Sequence, residues 1–376
     1  MDFNLSEEQQ LLKDSVDRFI LDDYDFEKRR KIANSEAGYS EDNWKTFAEL
    51  GWLAVGLPED QGGFGGPVET MIVMEAIGRG LVTEPYLQTV VLGGGFVAEA
   101  GSEAQQNEIL PAIAEGKCKL SFAYAEPTSR FNLADVTTKA EKANGGYKLS
   151  GHKSVVYGAA SADKIIVSAR TAGGQRDRDG ISLFLVDNNA SGLSRRDYPT
   201  ADGLRASEVM LEGVEVSADA MLGDEGQAMA TIEKVTDHGI AALCAEAVGC
   251  MEVLKDETNE YLKTRKQFGV PIGKFQVLQH RMVDCFIELE QSRSMAYMVT
   301  LKLDEGDTER RKAASAAKAQ IGKGGVFVGA QSVQMHGGMG MTDELKISHY
   351  YKRLMQIDTM FGNRDWQLKQ FAALTQ

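Results

Sequence analysis

Glu208-Val209-Met210-Leu211-Glu212-Gly213-Val214-Glu215-Val216 sets the period of the middle of the chain. Val209, Leu211, Val214 and Val216 broadly alternate with polar neighbours, the two-residue repeat of a half-buried strand, and Gly213 marks a turn or bulge. Upstream, residues 147–149, 153–157, 165–169 and 181–186 are also strand-like and rich in β-branched side chains. Asn144-Gly145-Gly146, Gly173-Gly174, Asp179-Gly180 and Asp202-Gly203 separate these runs as turn signals. Several short strands with no helix between them predict an antiparallel barrel or sandwich, and argue against βαβ units.

On both sides the period is helical. Ser6 followed by Gln9 fits a capping box, after which Leu12, Val16, Phe19 and Ile20 recur at helical spacing. Trp44, Phe47, Leu50 and Leu53 predict a second helix that stops near Gly56, because Pro58 cannot continue it. Residues 61–67 read as a loop, and 68–80 and 103–115 as further helices. After the strands, 231–264, 275–303 and 308–336 are long helical stretches, with a shorter one at 344–359. Long helices joined by short loops pack as a bundle. The expected fold class is α+β: an N-terminal helical domain (1–118), a middle antiparallel β-barrel domain (119–222) and a C-terminal four-helix bundle (223–376).

The 376 residues carry 55 acidic and 41 basic side chains, a net charge of −14. Such a surface repels phosphate backbones and anionic lipid, so neither nucleic-acid binding nor membrane insertion is expected. Cys118, Cys244, Cys250 and Cys285 form no CxxC pair and read as buried small hydrophobes in a reducing compartment. The acidic, polar start is unlike a targeting peptide, and no run of 18 uncharged apolar residues occurs, which points to a cytoplasmic location. His152, His238, His280, His336 and His349 show no HExxH spacing, so no metal site is expected. No GxGxxG follows a strand, and neither a Walker-type loop nor a GxSxG elbow is present.

Two glycine-bearing segments remain. Gln334-Met335-His336-Gly337-Gly338-Met339-Gly340 reads either as a helix C-cap or as a turn whose amides hold phosphate oxygens. Arg265-Lys266-Gln267-Phe268-Gly269, followed by Pro271-Ile272-Gly273-Lys274-Phe275-Gln276, reads on its own as a basic helix C-terminus stopped by Gly and Pro. Taken together, the two segments resemble the acyl-CoA dehydrogenase family, whose members carry R-x-x-F-G, then an aromatic or His followed by Gln, then Q-x-x-G-G. The likeness extends over essentially the whole chain, including residues 3–12 and Leu57-Pro58-Glu59-Asp60 before Gly62-Gly63. Within the family the chain looks most like small subunits of pimeloyl-CoA dehydrogenases.

The resemblance implies an FAD enzyme that desaturates the α,β bond of an acyl-CoA and passes electrons to an electron-transferring flavoprotein. Arg265 would face the pyrophosphate of a flavin bound mainly by a neighbouring subunit. Gln267, Phe268, Gln276, Gln334, Gly337, Gly338 and Asn363 would line the same cofactor. From the β domain, Phe122 and Tyr157 would join them. Asp237 would contact the pantetheine arm; Arg130, in a turn that departs from the family pattern, reads either as an exposed loop arginine or as a partner for a distal carboxylate of the substrate.

Several positions depart from the family pattern. Its usual Thr before Glu-Pro is Ala125, its G-x-G-S-D turn is Thr128-Ser129-Arg130-Phe131-Asn132, and its Trp-Ile-Thr is Val155-Val156-Tyr157. The two positions where relatives carry the catalytic Glu are Phe361 and Gly239, neither able to take a proton. The expectation is a subunit that lacks the base and completes the flavin site of a homologous large subunit carrying the Glu, in a heterotetramer. The competing expectations are a non-catalytic scaffold, a flavin enzyme of different chemistry, or an unorthodox base drawn from Asp358, His238 or Asp237.

Overall fold

The computed structural model describes residues 4–375; Phe3, at the head of the opening motif, lies outside the described residues. In chain order the helices are α1 (Glu7–Asp23), α2 (Phe26–Ala33), α3 (Glu41–Glu49), α4 (Pro67–Gly80), α5 (Gly95–Ala100), α6 (Glu103–Ala114), α7 (Met229–Thr264), α8 (Gln276–Leu301), α9 (Asp307–His336), α10 (Lys346–Thr359) and α11 (Arg364–Thr375). Strands β1 (Leu120–Ala123), β2 (Lys139–Ala143), β3 (Gly146–Tyr157), β4 (Lys164–Arg170), β5 (Ile181–Asp187), β6 (Leu193–Pro199), β7 (Arg205–Ser217) and β8 (Met221–Leu222) lie between α6 and α7. A small hairpin, β9 (Lys266–Gln267) and β10 (Val270–Pro271), joins α7 to α8. Contacts divide the chain into two compact units: Met1–Lys31, Pro67–Val82 and Ile240–Gln376 form one, Ile32–Gly66 and Thr83–Gly239 the other. Among the described residues no helix is long and apolar enough to cross a membrane.

In the first unit the capping box is formed: Ser6 Oγ accepts from Gln9 N at 3.2 Å and Gln9 Oε1 from Ser6 N at 2.9 Å. α4 and α7 touch backbone to backbone, since a Cβ at Gly78 would overlap Glu246 O and one at Gly249 would overlap Glu75 O. Arg79 locks that crossing with bonds to Asp17 (2.8 Å), Glu75 (2.6 Å) and Glu252 (2.8 Å). The expected helices appear as α7 to α10, and α11 is an addition.

In the second unit the helix expected to run to Gly56 ends at Glu49, because Gly51 takes a left-handed backbone (φ 77°). The strands form one sheet in the order β6-β7-β3-β2-β4-β5-β8, with β1 beside β4. This corrects the expected antiparallel barrel in two respects. The sheet is not closed, and its β1–β4 and β2–β4 pairs are parallel. The reason lies at one edge of β4: β1 occupies it from Lys164 to Val167, leaving β2 a single pair, Lys139 with Arg170. Two half-sheets result, around a core that includes Leu149, Val156, Ile165, Phe184, Val209 and Leu211. Gly213 is the expected bulge, the extra residue where Leu149 faces Val214 and Ser150 faces Glu212.

That apolar core also holds a charge. Lys153 Nζ lies 2.8 Å from Glu126 Oε1 with both side chains essentially inaccessible. Ser168 Oγ (3.1 Å) is a second partner of the ammonium, while Thr137 N (2.8 Å), Thr138 N (3.0 Å) and the Thr137 hydroxyl donate to the carboxylate. Burial alone would raise the Glu126 carboxyl, but Lys153 and these donors outweigh it and push it down to about 2. Glu126→Gln leaves a buried ammonium uncompensated and should cost about 3–5 kcal/mol in denaturant unfolding, much of it regained by adding Lys153→Met. Because the folded carboxyl sits below its unfolded value, its contribution is complete above the ordinary carboxylate range and is lost as pH falls toward 2. Glu126→Gln should therefore flatten the stability profile in that acid window.

Candidate functional site

The two glycine-bearing motifs meet at one end of the helical unit. Tyr261, in the last turn of α7, stacks on His336, the last residue of α9, with ring centroids 4.3 Å apart. His336 is buried, its Nδ1 sits 2.8 Å from Ser332 O, and burial lowers its pKa, so it is a neutral packing group. Past α7, Arg265 is exposed at the foot of the β9–β10 hairpin. At the tip, Phe268 (φ 54°) and Gly269 (φ 80°) are both left-handed, the backbone of a two-residue hairpin turn. Gly269 suits that geometry and Phe268 does not; Phe268 is 91% exposed, with Phe275 edge-on to its ring at 6.1 Å. Gln267 Nε2 bonds Lys266 O at 2.8 Å, and Gln276 opens α8 exposed.

Beyond α9, Gly337 has φ 63° and ψ −145°, a backbone only glycine adopts readily. A Cβ at Gly337 or Gly338 would meet nothing within 4 Å. Gln334 beside them is exposed. An exposed permanent cation, an open glycine turn and an exposed aromatic at one bundle end fit the diphosphate and ring portions of a dinucleotide.

The turn joining α10 to α11 holds the first of the two expected acid positions. Phe361 is buried at φ 56°, followed by Gly362 at φ 106°. Asp358, weighed above as a base, is committed here: its Oδ1 accepts from Arg364 N at 3.1 Å. Asn363 caps α11 through Oδ1, which accepts from Trp366 N at 3.1 Å. Glu246 is the nearby buried carboxylate, and Arg353 holds it by two bonds, 2.5 and 2.7 Å. Arg353 also reaches Met360 Sδ at 3.9 Å, which sets this turn at the level of Glu246 along α7. Arg265 lies nineteen residues further on, about 28 Å along a continuous helix. One small reaction centre in one chain cannot use both ends.

In the second unit, Phe122 is buried between Phe96 (4.4 Å) and Tyr124 (5.3 Å). Val155 is left-handed (φ 53°), 43% exposed, and marks a second bulge, where Lys153 faces Val209 but Val156 faces Ser207. Tyr157 ends β3, half-buried. Arg130 is exposed with φ 48° on a loop fixed at Glu126 and Ser129. Asp237 and Gly239 are buried in α7, with His238 half-buried between them. Among the described residues no group of His, Cys, Asp and Glu could hold a metal.

Sequence reasoning missed Lys153, Lys318 and Arg353. Lys153 was findable: it shares strand parity with Tyr147 and Leu149, and a lysine on the inward face requires a carboxylate.

Three family models match the chain. The acyl-CoA dehydrogenase N-terminal domain matches residues 6–117, the middle domain 121–214 and the C-terminal domain 226–374. A 3-(aryl)acrylate reductase of Clostridium sporogenes is 30% identical over 330 residues, spanning 86% of this chain and 87% of the relative. The ChsE4-ChsE5 complex from Mycobacterium tuberculosis superposes with a TM-score of 0.89 at 25% identity, covering 99% and 98% of the two chains. The FAD complex of PigA gives 0.91 at 27% identity, also covering 99% and 98%.

The strain at the hairpin tip is testable by itself. Phe268→Asn, which tolerates left-handed backbone, should stabilise the isolated chain by about 1 kcal/mol in denaturant unfolding, since so exposed a ring forfeits little packing when it is lost.

Proposed function

The chain belongs to the acyl-CoA dehydrogenase family, and on that premise we propose that it is the subunit of a heteromeric enzyme that lacks the catalytic glutamate. Membership makes it an FAD-dependent oxidoreductase acting on CH–CH bonds. The observation that carries the proposal is chemical. Desaturation needs a carboxylate to take the α-proton, worth roughly 10²–10⁴ in rate, and the two family positions hold Phe361 and Gly239. Around Phe361 the acids are committed: Glu246 to Arg353, and Asp358 to the first amide of α11. A homologous large subunit supplies the glutamate in this reading, and the ChsE4-ChsE5 relative, itself a complex, supports it.

FAD, when bound, accepts the hydride leaving the β-carbon. This chain's part is to hold the cofactor of the large subunit. Arg265 neutralises its diphosphate, the amides around Gly337 and Gly338 hold its phosphate or ribitol oxygens, and Gln267, Phe268, Gln276, Gln334 and Asn363 line it. The separation of about 28 Å between Arg265 and the Phe361 turn supports sharing across subunits. The chain's own β side is poorer in flavin contacts, with no hydroxyl at Ala125 and no aromatic at Val155, leaving Phe122 and Tyr157. Asp237 and Arg130 meet the acyl-CoA, and electrons leave to an electron-transferring flavoprotein. Domain limits at 1–118, 119–222 and 223–376, a heterotetramer and a cytoplasmic location belong to the same proposal.

Co-expression tests it. Alone, the chain should hold little FAD and turn over no acyl-CoA; with a large-subunit homologue retaining the Glu-Gly pair, substrate should bleach the flavin band. Arg265→Ala should weaken FAD retention by the complex about 10–100-fold, the worth of one charge-assisted hydrogen bond, without unfolding it. Stoichiometric FAD and turnover in the isolated chain would refute the division of labour.

A further inference from the structure

Lys318 lies in α9 with its side chain fully buried. Burying an ammonium costs several kcal/mol unless its protons are placed. Its protons go to backbone: Nζ donates to Asp358 O at 2.9 Å and to Gly362 O at 3.0 Å. The groups facing it are Cys244 of α7 and Asp358 of α10, and the Asp358 carboxylate is already engaged with Arg364 N. One helical turn further along the same face, a Cβ at Gly322 would overlap Asp358 Oδ1, so α9 is notched to seat that residue.

The turn so gripped is strained. Phe361 (φ 56°) is bulky and left-handed, at a cost of about 1–2 kcal/mol. A Cβ at Gly362 (φ 106°) would overlap the Trp366 ring. Gln367 Nε2 donates to Phe361 O at 2.6 Å, so three carbonyls of the turn, 358, 361 and 362, each receive a buried side-chain donor. A plain link between two helices needs none of this, and over-determined strain of this kind marks a seat that presents a side chain.

We propose that Lys318 is a positioning residue whose two carbonyl bonds fix this turn so that side chain 361 is presented to the α-carbon of a bound acyl thioester. In this chain the seat carries a phenyl ring, so the presentation is retained while the acid chemistry is not. The proposal rests on the function proposed above for the second of its two parts, the identity of what faces residue 361.

The probe is a 2-bromoacyl-CoA acting on Phe361→Cys in the co-expressed complex. The thiolate displaces bromide from the α-carbon, a thioether forms, bromide leaves with the bonding pair and the thiol proton goes to buffer. The four native cysteines are buried, so labelling of this chain, read by mass, reports position 361. Saturable labelling is expected, with Lys318→Met lowering the saturating rate at least tenfold while leaving the half-saturating concentration unchanged. Equal labelling in both backgrounds overturns the positioning role. No labelling of Phe361→Cys overturns the acyl-CoA assignment instead, and hydrogen exchange then decides Lys318. Amides 360–364 should exchange at least tenfold faster in Lys318→Met with α9 unchanged, and unchanged exchange at 360–364 refutes the role. If Lys318→Met does not fold, Lys318→Gln, which keeps a donor on a shorter arm, takes its place in both measurements.

Discussion

The rise of an α-helix, 1.5 Å per residue, is the constraint from which the rest follows. α7 runs unbroken from Met229 to Thr264, and Gly78 and Gly249 press it against α4 with no side chain between. Arg353 ties the turn before α11 to Glu246 at one level of that rod, and Arg265 stands at its far end. A rigid helix does not let those two points approach. The exposed cation at the end of α7 and the Phe361 turn are thereby held about 28 Å apart along one rod, too far for both to serve a single small reaction centre of one chain.

Buried cations give the molecule its second theme, and each is compensated differently. Lys153 has a carboxylate, Arg353 has a two-point carboxylate, and Lys318 has carbonyls. Arg170 follows the last pattern in the β unit, donating to the carbonyls of Ala134, Gln175, Asp177 and Asp179 and so gathering two loops around one guanidinium. Where a carboxylate answers the cation, that acid is removed from proton transfer. Glu126 and Glu246 are therefore structural groups, each held by its cation.

Much of this was legible in the sequence where a single period or a local steric rule decides. The helical and two-residue repeats located α7 to α10 and β7, and the break in the alternation located the bulge at Gly213. Barrel closure was not legible, because it depends on which strand takes the edge of β4. β1 is four consecutive buried residues, and β6 has no buried residue at all, so neither shows the buried-exposed alternation of a half-buried strand. The meeting of the two glycine motifs depends on Tyr261 stacking on His336, a tertiary contact with no local signature. For Lys318 the sequence held no warning, because a lysine amid alanines in a long helix has the spacing of a solvated face.

Strain ties these themes together. Gly accounts for most left-handed positions, but Leu81, Arg130, Asn144, Val155, Phe268 and Phe361 adopt them too, and four of these six, Arg130, Val155, Phe268 and Phe361, lie in segments where the family resemblance would place cofactor or substrate. A β-branched residue and two phenylalanines are poor choices for left-handed backbone on stability alone. At Phe361 the surrounding donors hold the conformation; at Phe268 the ring is exposed and meets Phe275 edge-on. The same conformation thus occurs in opposite settings: sealed from within at the α10–α11 turn, and open to solvent at the hairpin tip.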